Sequence, residues 1–344
     1  MSSGITRPDV PAPRQPPSGD LPPTGGDGSG RPTLRALAVL RDYGVVVSLV
    51  VLIIVLALTA KNFLTTGNLL NVLDQSTYLG IIAAAGTLVI VSGAFDLSVA
   101  GTFALAGVIA ARLAVGGMDP TLALVIGGLS GGVVGVFNGL FVARVGINPF
   151  ITTLATGFIV SGVALVVTGG SLVLVTNVSF SSIGTAQLGS VTWESIIFLI
   201  WAAIMALLLG RSVFGRFIYA CGGNEEAARL AGIRVTAVRT LTFVLSGLAA
   251  SLAGILSASR VTTGQADAGQ GLQLTAVAAV VVGGTSIWGG SGAVWRTMVG
   301  IFLLGLVSNG FDLLSINQVW EQVVFGGIVL LAATVDAQLR RGRG

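Results

Sequence analysis

In this 344-residue chain, the stretch whose residue types and spacing offer most chemistry reads Cys221-Gly-Gly-Asn-Glu-Glu-Ala-Ala-Arg-Leu-Ala-Gly-Ile-Arg-Val235. Asn224 is a good N-cap, and Glu225 and Glu226 fall in the first turn, where the helix dipole favours acids. Arg229 falls toward the end, and Gly232 suits a left-handed stop. These residues predict a helix of about two turns, too short to hold itself in water. Its chemistry is therefore docking. Ala227, Ala228 and Ala231 are small enough to seat it in a partner's groove; the alternative is an amphipathic connector resting on a membrane surface. The second candidate is Asp96, the one charge between Gln75 and Ala111. A carboxylate in such apolar surroundings is a functional hypothesis by default. It also suits the cap of a helix starting at Leu97.

Missing residue types exclude other chemistry. With no histidine, Ser-His-Asp hydrolysis, Cys-His proteolysis and His-containing metal sites fall away. The single cysteine, Cys221, allows neither an internal disulfide nor a four-thiolate metal site, and reads as a small buried apolar residue. Lys61, the only lysine, sits in Ala-Lys-Asn-Phe rather than after a glycine loop, so no phosphate-cradling lysine is present. If ATP is used, another chain binds it, and this chain carries no cofactor and no metal of its own.

The elements that must position these residues lie in a bilayer. Hydrophobic side chains make up 53% of the chain and charged ones 9%, with a mean hydropathy of +0.92, against roughly 25% charged in soluble domains. Crossing ~30 Å of hydrocarbon takes about 20 largely apolar residues. Such stretches occur at Gly44–Ala60, Thr77–Gly93, Leu97–Ala111, Thr121–Ala143, Ile151–Val167, Ser195–Gly210, Thr240–Ser259, Thr275–Val282 with its flanks, Met298–Phe311 and Val323–Val335. The expected fold is an all-α integral membrane bundle of about ten transmembrane helices, residues 41–338. Residues 1–40, which hold eight of the ten prolines, are expected to be a disordered cytoplasmic tail without a secretory signal, and 339–344 a basic cytoplasmic end. The 50 glycines suit close helix packing in lipid.

Arginine sets the expected orientation. With the amino terminus inside, Lys61, Arg112 and Arg260 alone among the 18 basic residues fall outside, the asymmetry of the positive-inside rule. That charge belongs to the membrane border, not to nucleic acid. Two loops are too long to be mere connectors: Gly169–Glu194 outside and Arg211–Arg239 inside.

The inside loop resembles the coupling-helix region of permease subunits of bacterial ABC importers of the ribose, xylose, arabinose and galactoside type. Three further segments are similar to that family in the same order: Ser92-Gly-Ala-Phe-Asp-Leu-Ser-Val-Ala-Gly101, Asn148-Pro-Phe-Ile-Thr-Thr-Leu-Ala-Thr156 and Gly283-Gly-Thr-Ser-Ile-Trp-Gly-Gly-Ser-Gly292. The resemblance covers residues 40–335 and departs at Ala100, usually glycine, and at Phe95, commonly isoleucine.

The resemblance implies a multi-pass protein of the bacterial inner membrane that forms the pathway for a monosaccharide, pentose, hexose or related polyol. The implied partners are a cytoplasmic ATPase that hydrolyses the ATP, an extracytoplasmic sugar-binding protein, a second permease copy in a homodimer or heterodimer, and membrane lipid. Gly222, Gly223, Asn224, Glu225, Glu226, Ala227, Ala228, Arg229 and Gly232 become the ATPase-coupling residues. Gln75, Asp96, Asn138, Thr152, Thr153, Asn309 and Trp288 are candidates to line the pathway, each against the alternative of bonding between helices. For Asp96 the roles in play are a cap, a contact to sugar hydroxyls and proton coupling. Glu194, Arg260 and Asp267, at span edges, are candidates to dock the binding protein, or to pair locally or with lipid headgroups. Competing readings are a branched-chain amino acid importer permease and an ion-coupled secondary transporter; the Asp-Leu-Ser and Gly-Gly-Asn-Glu segments favour sugar.

Overall fold

The computed structural model describes residues 30–317 and 319–341. The chain enters through α1 (Gly30–Thr59) and a short α2 (Thr66–Gln75), which Ser76 separates from α3 (Thr77–Val91) at a 49° bend. After a non-helical break comes α4 (Val99–Val115). Next, α5 (Pro120–Leu140) starts where Asp119 accepts a bond from the Leu122 N–H at 3.1 Å, and its end is a π-turn over Phe141–Val145 stopped by Gly146 at φ +86°. Asn148 caps α6 (Pro149–Thr168) through the Phe150 N–H at 2.9 Å. Then come β1 (Val173–Leu174), α7 (Ser182–Thr185), β2 (Gln187–Leu188), β3 (Val191–Thr192) and α8 (Trp193–Arg211). Three helices follow closely: α9 (Val213–Gly223), α10 (Glu225–Leu230) and α11 (Val235–Val261). The chain ends through β4 (Thr263–Gly264), α12 (Leu272–Val282), α13 (Val294–Leu313) and α14 (Val319–Arg341).

Every one of the ten expected apolar segments falls on a helix. Among the described residues, five helices are long and apolar enough to cross a membrane, or six if the bent pair α2–α3 is one span. Gly44–Thr59, α4, α12 and Val319–Leu331 are shorter apolar helices. Four expectations need correction. The tail boundary at residue 40 falls inside α1, because beyond Pro32 the segment Thr33–Asp42 contains no proline or glycine to break a helix; residues 1–29 lie outside the described part. The basic end joins α14 as far as Arg341, and 342–344 lie outside. The inside loop is mostly the helices α9 and α10. The fold is not purely helical: β1 pairs antiparallel with β4, Val173 opposite Gly264, and β2 pairs with β3.

The centre of the molecule is α11, packed against α3, α4 and α5. Glycine makes this possible. Gly127, Gly131, Gly135 and Gly139 recur every fourth residue of α5, and a Cβ on Gly135 or Gly139 would collide with the α11 backbone at Phe243 or Thr240. Small residues at that spacing let two backbones touch, which gains dispersion contact where lipid offers no hydrophobic drive. The outer loop is pinned to the same helix: Ser259 donates to the Phe180 carbonyl at 2.6 Å and accepts from the Gly184 N–H at 2.9 Å.

Candidate functional site

At the N-terminal end of α11 the sequence motif folds as its residue types predict. The Asn224 side chain accepts from the Ala227 N–H at 3.0 Å and so caps α10. Gly232, at φ +81°, ends it, with the Ile233 N–H reaching back to the Ala228 carbonyl at 3.0 Å. Ala228 is buried against the body of the protein, whereas Glu226, Ala227 and Ala231 are exposed and Leu230 is 82% exposed. Glu225 is partly exposed and paired on both sides. Its carboxylate is clamped between Arg229 at 2.9 Å and Arg239 of α11 at 2.7 Å. Arg239 also donates to the Ser92 carbonyl at the end of α3, at 3.4 Å.

Beneath α10 three segments meet backbone to backbone. The Gly290 N–H donates to the Val91 carbonyl at 2.9 Å, and Gly222 lies so close that a Cβ there would strike both that carbonyl and the Gly290 nitrogen. Gly289, at φ +85°, abuts Gly93, and the Tyr219 hydroxyl closes the joint on the Gly292 carbonyl at 2.6 Å. The Gly-Gly-Asn-Glu motif and the 283–292 motif are thus parts of one seam. Trp288 belongs to this turn, where it is exposed, and not to the Asp96 cluster. Neighbouring Cys221 is fully covered, and its burial pushes the thiol pKa up, partly offset by Arg239. A protonated thiol is a poor nucleophile. We therefore expect maleimide to leave Cys221 unlabelled in native membranes and to label it on unfolding; fast labelling in the native state would contradict this packing.

The break between α3 and α4 gathers three of the proposed pathway residues. Asp96 accepts from the Ser98 hydroxyl at 2.6 Å and from the Ser98 N–H at 3.0 Å, so it steadies a helix starting at Val99, not at Leu97. The Asn138 amide of α5 donates to the same Ser98 hydroxyl at 2.8 Å, and Thr153 of α6 accepts from the Leu97 N–H at 3.0 Å. Asn138, Thr153 and Asp96 are all buried, and together they fix the break to two neighbouring helices. Thr152 is buried beside them with its hydroxyl unpartnered. Asn309 is elsewhere, in a reciprocal amide pair with Asn68 at 2.8 and 3.0 Å that ties α13 to α2, and Gln75 is exposed at the end of α2.

At the far end of α11, Glu194 takes the local pairing that the sequence left open. It is 0% exposed, ion-paired to Arg260 at 2.8 Å and hydrogen-bonded by the Tyr78 hydroxyl at 3.0 Å. Arg260 reaches Asp74 at 4.0 Å, and Asp74 accepts from the Thr192 and Ser195 hydroxyls at 2.6 and 2.5 Å. Of the three docking candidates, Asp267 and part of Arg260 remain exposed. Sequence reasoning passed over Leu230, Arg239, Asp74 and Tyr78. Only Leu230 carried a local signal, as the one large apolar side chain in a run of small and charged ones.

A family model described as "Branched-chain amino acid transport system / permease component" matches residues 68–333. The ribose import permease protein of Bacillus subtilis (strain 168) is 38% identical over 300 residues, 87% of this chain and 93% of that protein. The D-allose transport system permease protein of Escherichia coli (strain K12) is 34% identical, covering 86% of this chain and 91% of its own. The L-arabinose ABC transporter permease protein of Azospirillum brasilense is 35% identical, with coverage of 87% and 88%. No solved structure matches the chain. With the family model spanning most of the chain and such identities running along nearly its whole length, the protein belongs to the permease-component family of ABC transport systems.

Proposed function

We propose that this chain is the membrane-spanning subunit of an ATP-driven importer that passes a monosaccharide across the bacterial inner membrane. A binding protein outside delivers the sugar, and a separate ATPase inside hydrolyses the ATP. The family model is described by branched-chain amino acids, but the relatives matched along nearly their full length are named for ribose, allose and arabinose, which favours sugar. In this reading the shorter apolar helices join the longer ones to make ten spans, both termini are cytoplasmic, and two permease copies enclose the pathway. Exposed Asp267 and the exposed part of Arg260 meet the binding protein.

The observation that carries the reading is the mounting of α10. Its outer face offers Leu230 with small Ala227 and Ala231, while its inner face is clamped through Glu225 and Arg239 to α11 and to the end of α3. A groove on the ATPase that moves with nucleotide pulls on this helix, and the clamp passes the displacement to the Asp96 break. Burying a leucine is worth about 2 kcal/mol. Leu230→Asp should therefore weaken ATPase retention on gentle purification about thirtyfold, with membrane insertion and thermal stability unchanged. An ATPase that stays bound to that variant sinks the coupling assignment. A chain that instead moves solute down an ion gradient without any ATPase sinks the importer reading.

A further inference from the structure

We propose that the cleft between α4, α6 and residues 265–273 is a sugar subsite of the pathway, in which Gln273, Gln270 and Ser161 bond hydroxyls and Phe158 covers the apolar face of the ring. The cleft measures about 620 Å³, within the range of small-molecule sites, roughly 300–1,000 Å³. It contains none of the buried polar residues that hold the Asp96 break. The proposal rests on the sugar-importer reading and assigns it a site.

Three observations carry it. First, Gln273 lines the cleft with its carboxamide oxygen buried and unpartnered. Leaving such an acceptor without a donor is costly enough that each instance in a folded protein calls for an explanation. A ligand rich in O–H donors supplies one. Second, the lining chemistry is that of a neutral polyol. Gln265, Gln270 and Gln273 each offer an amide donor and a carbonyl acceptor, and Asp267 offers an acceptor. Ser161 makes no hydrogen bond within the described residues, so its hydroxyl is also available. Among the described residues no lysine or arginine lines the cleft, so none of them there would balance the carboxylate of an amino acid. Third, Phe158 stands 72% exposed at the cleft, one turn from Gly162, where no atom approaches within 4 Å. An aromatic face left bare beside carboxamides suits the C–H face of a sugar ring.

The floor is Ala100, the position where the resembling family usually has glycine. Its carbonyl is in contact with Gly269, which has no room for a Cβ, so the 265–273 segment is held directly over α4.

The test is uptake by cells expressing the full importer, using labelled ribose, allose and arabinose and then monodeoxy analogues of whichever is carried. A site built to bond a hydroxyl rejects the analogue that lacks it. We expect Gln273→Leu to reduce discrimination between the parent sugar and one monodeoxy analogue about tenfold, the worth of one net hydrogen bond, with the amount of importer in the membrane native. Phe158→Ala should raise the apparent KM several-fold without lowering Vmax, and Phe158→Trp should restore it. Because Phe158 is exposed, this pair remains informative if Gln273→Leu folds poorly. A native importer whose analogue preferences survive Gln273→Leu and whose KM survives Phe158→Ala overturns the subsite and leaves the importer reading standing. A native importer that carries none of the sugars overturns both.

Discussion

Gly222→Ala should destabilise the permease by about 3 kcal/mol, whereas the same change one residue later, Gly223→Ala, should be close to neutral. A Cβ at Gly222 lands on the Val91 carbonyl and the Gly290 nitrogen, both backbone atoms already joined to each other by a hydrogen bond, so no side chain can rotate away. At Gly223 nothing lies within 4 Å of the added carbon. Overpacking a core costs typically about 1–3 kcal/mol, and a collision between backbones belongs at the top of that range. The check is the unfolding midpoint of both variants in detergent, followed by tryptophan fluorescence. Equal midpoints for the two would mean that the seam is looser than its contacts imply.

Arg260→Ala should destabilise the protein by about 3 kcal/mol, because it strands the fully buried Glu194 carboxylate without its cation. The figure lies at the low end for breaking a buried pair, since the Arg260 side chain is itself 39% exposed. Adding Glu194→Gln should recover a good part of the loss, because the stranded charge and not the missing arginine is the cost. The amide oxygen can still accept from the Tyr78 hydroxyl, as the carboxylate does. A double variant no better than Arg260→Ala alone would place the damage in lost packing of the arginine stem instead.

What the sequence made legible was local. Asn224 and Gly232 act on backbone groups within four residues of themselves, so the start and stop of α10 could be read directly. The ten apolar segments announced helices because composition alone keeps a chain in lipid. Pairings across the fold left no such trace. Whether Glu194 docks a partner or pairs locally stayed open because Arg260 lies 66 residues further on, and nothing near Glu225 announced Arg239 on the next long helix. The short helices α2 and α9 were missed for a related reason: each is only ten or eleven residues and is held by packing, not by its own pattern. The cleft lined by Gln265, Gln270 and Gln273 was unreadable because it forms only where that segment folds over α4 and α6.

Arg239 and Arg260 stand on the same helix. At 1.5 Å and 100° per residue, they are roughly 32 Å apart along its axis and about 60° apart around it. The helix between them is wedged against glycine-bearing neighbours that leave no slack for bending. A rotation of this helix that withdrew Arg239 from Glu225 would also move Arg260 against Glu194. In the proposed importer, the end of α11 clamped to α10 and the end clamped to Glu194 are thus joined by one unbroken helix.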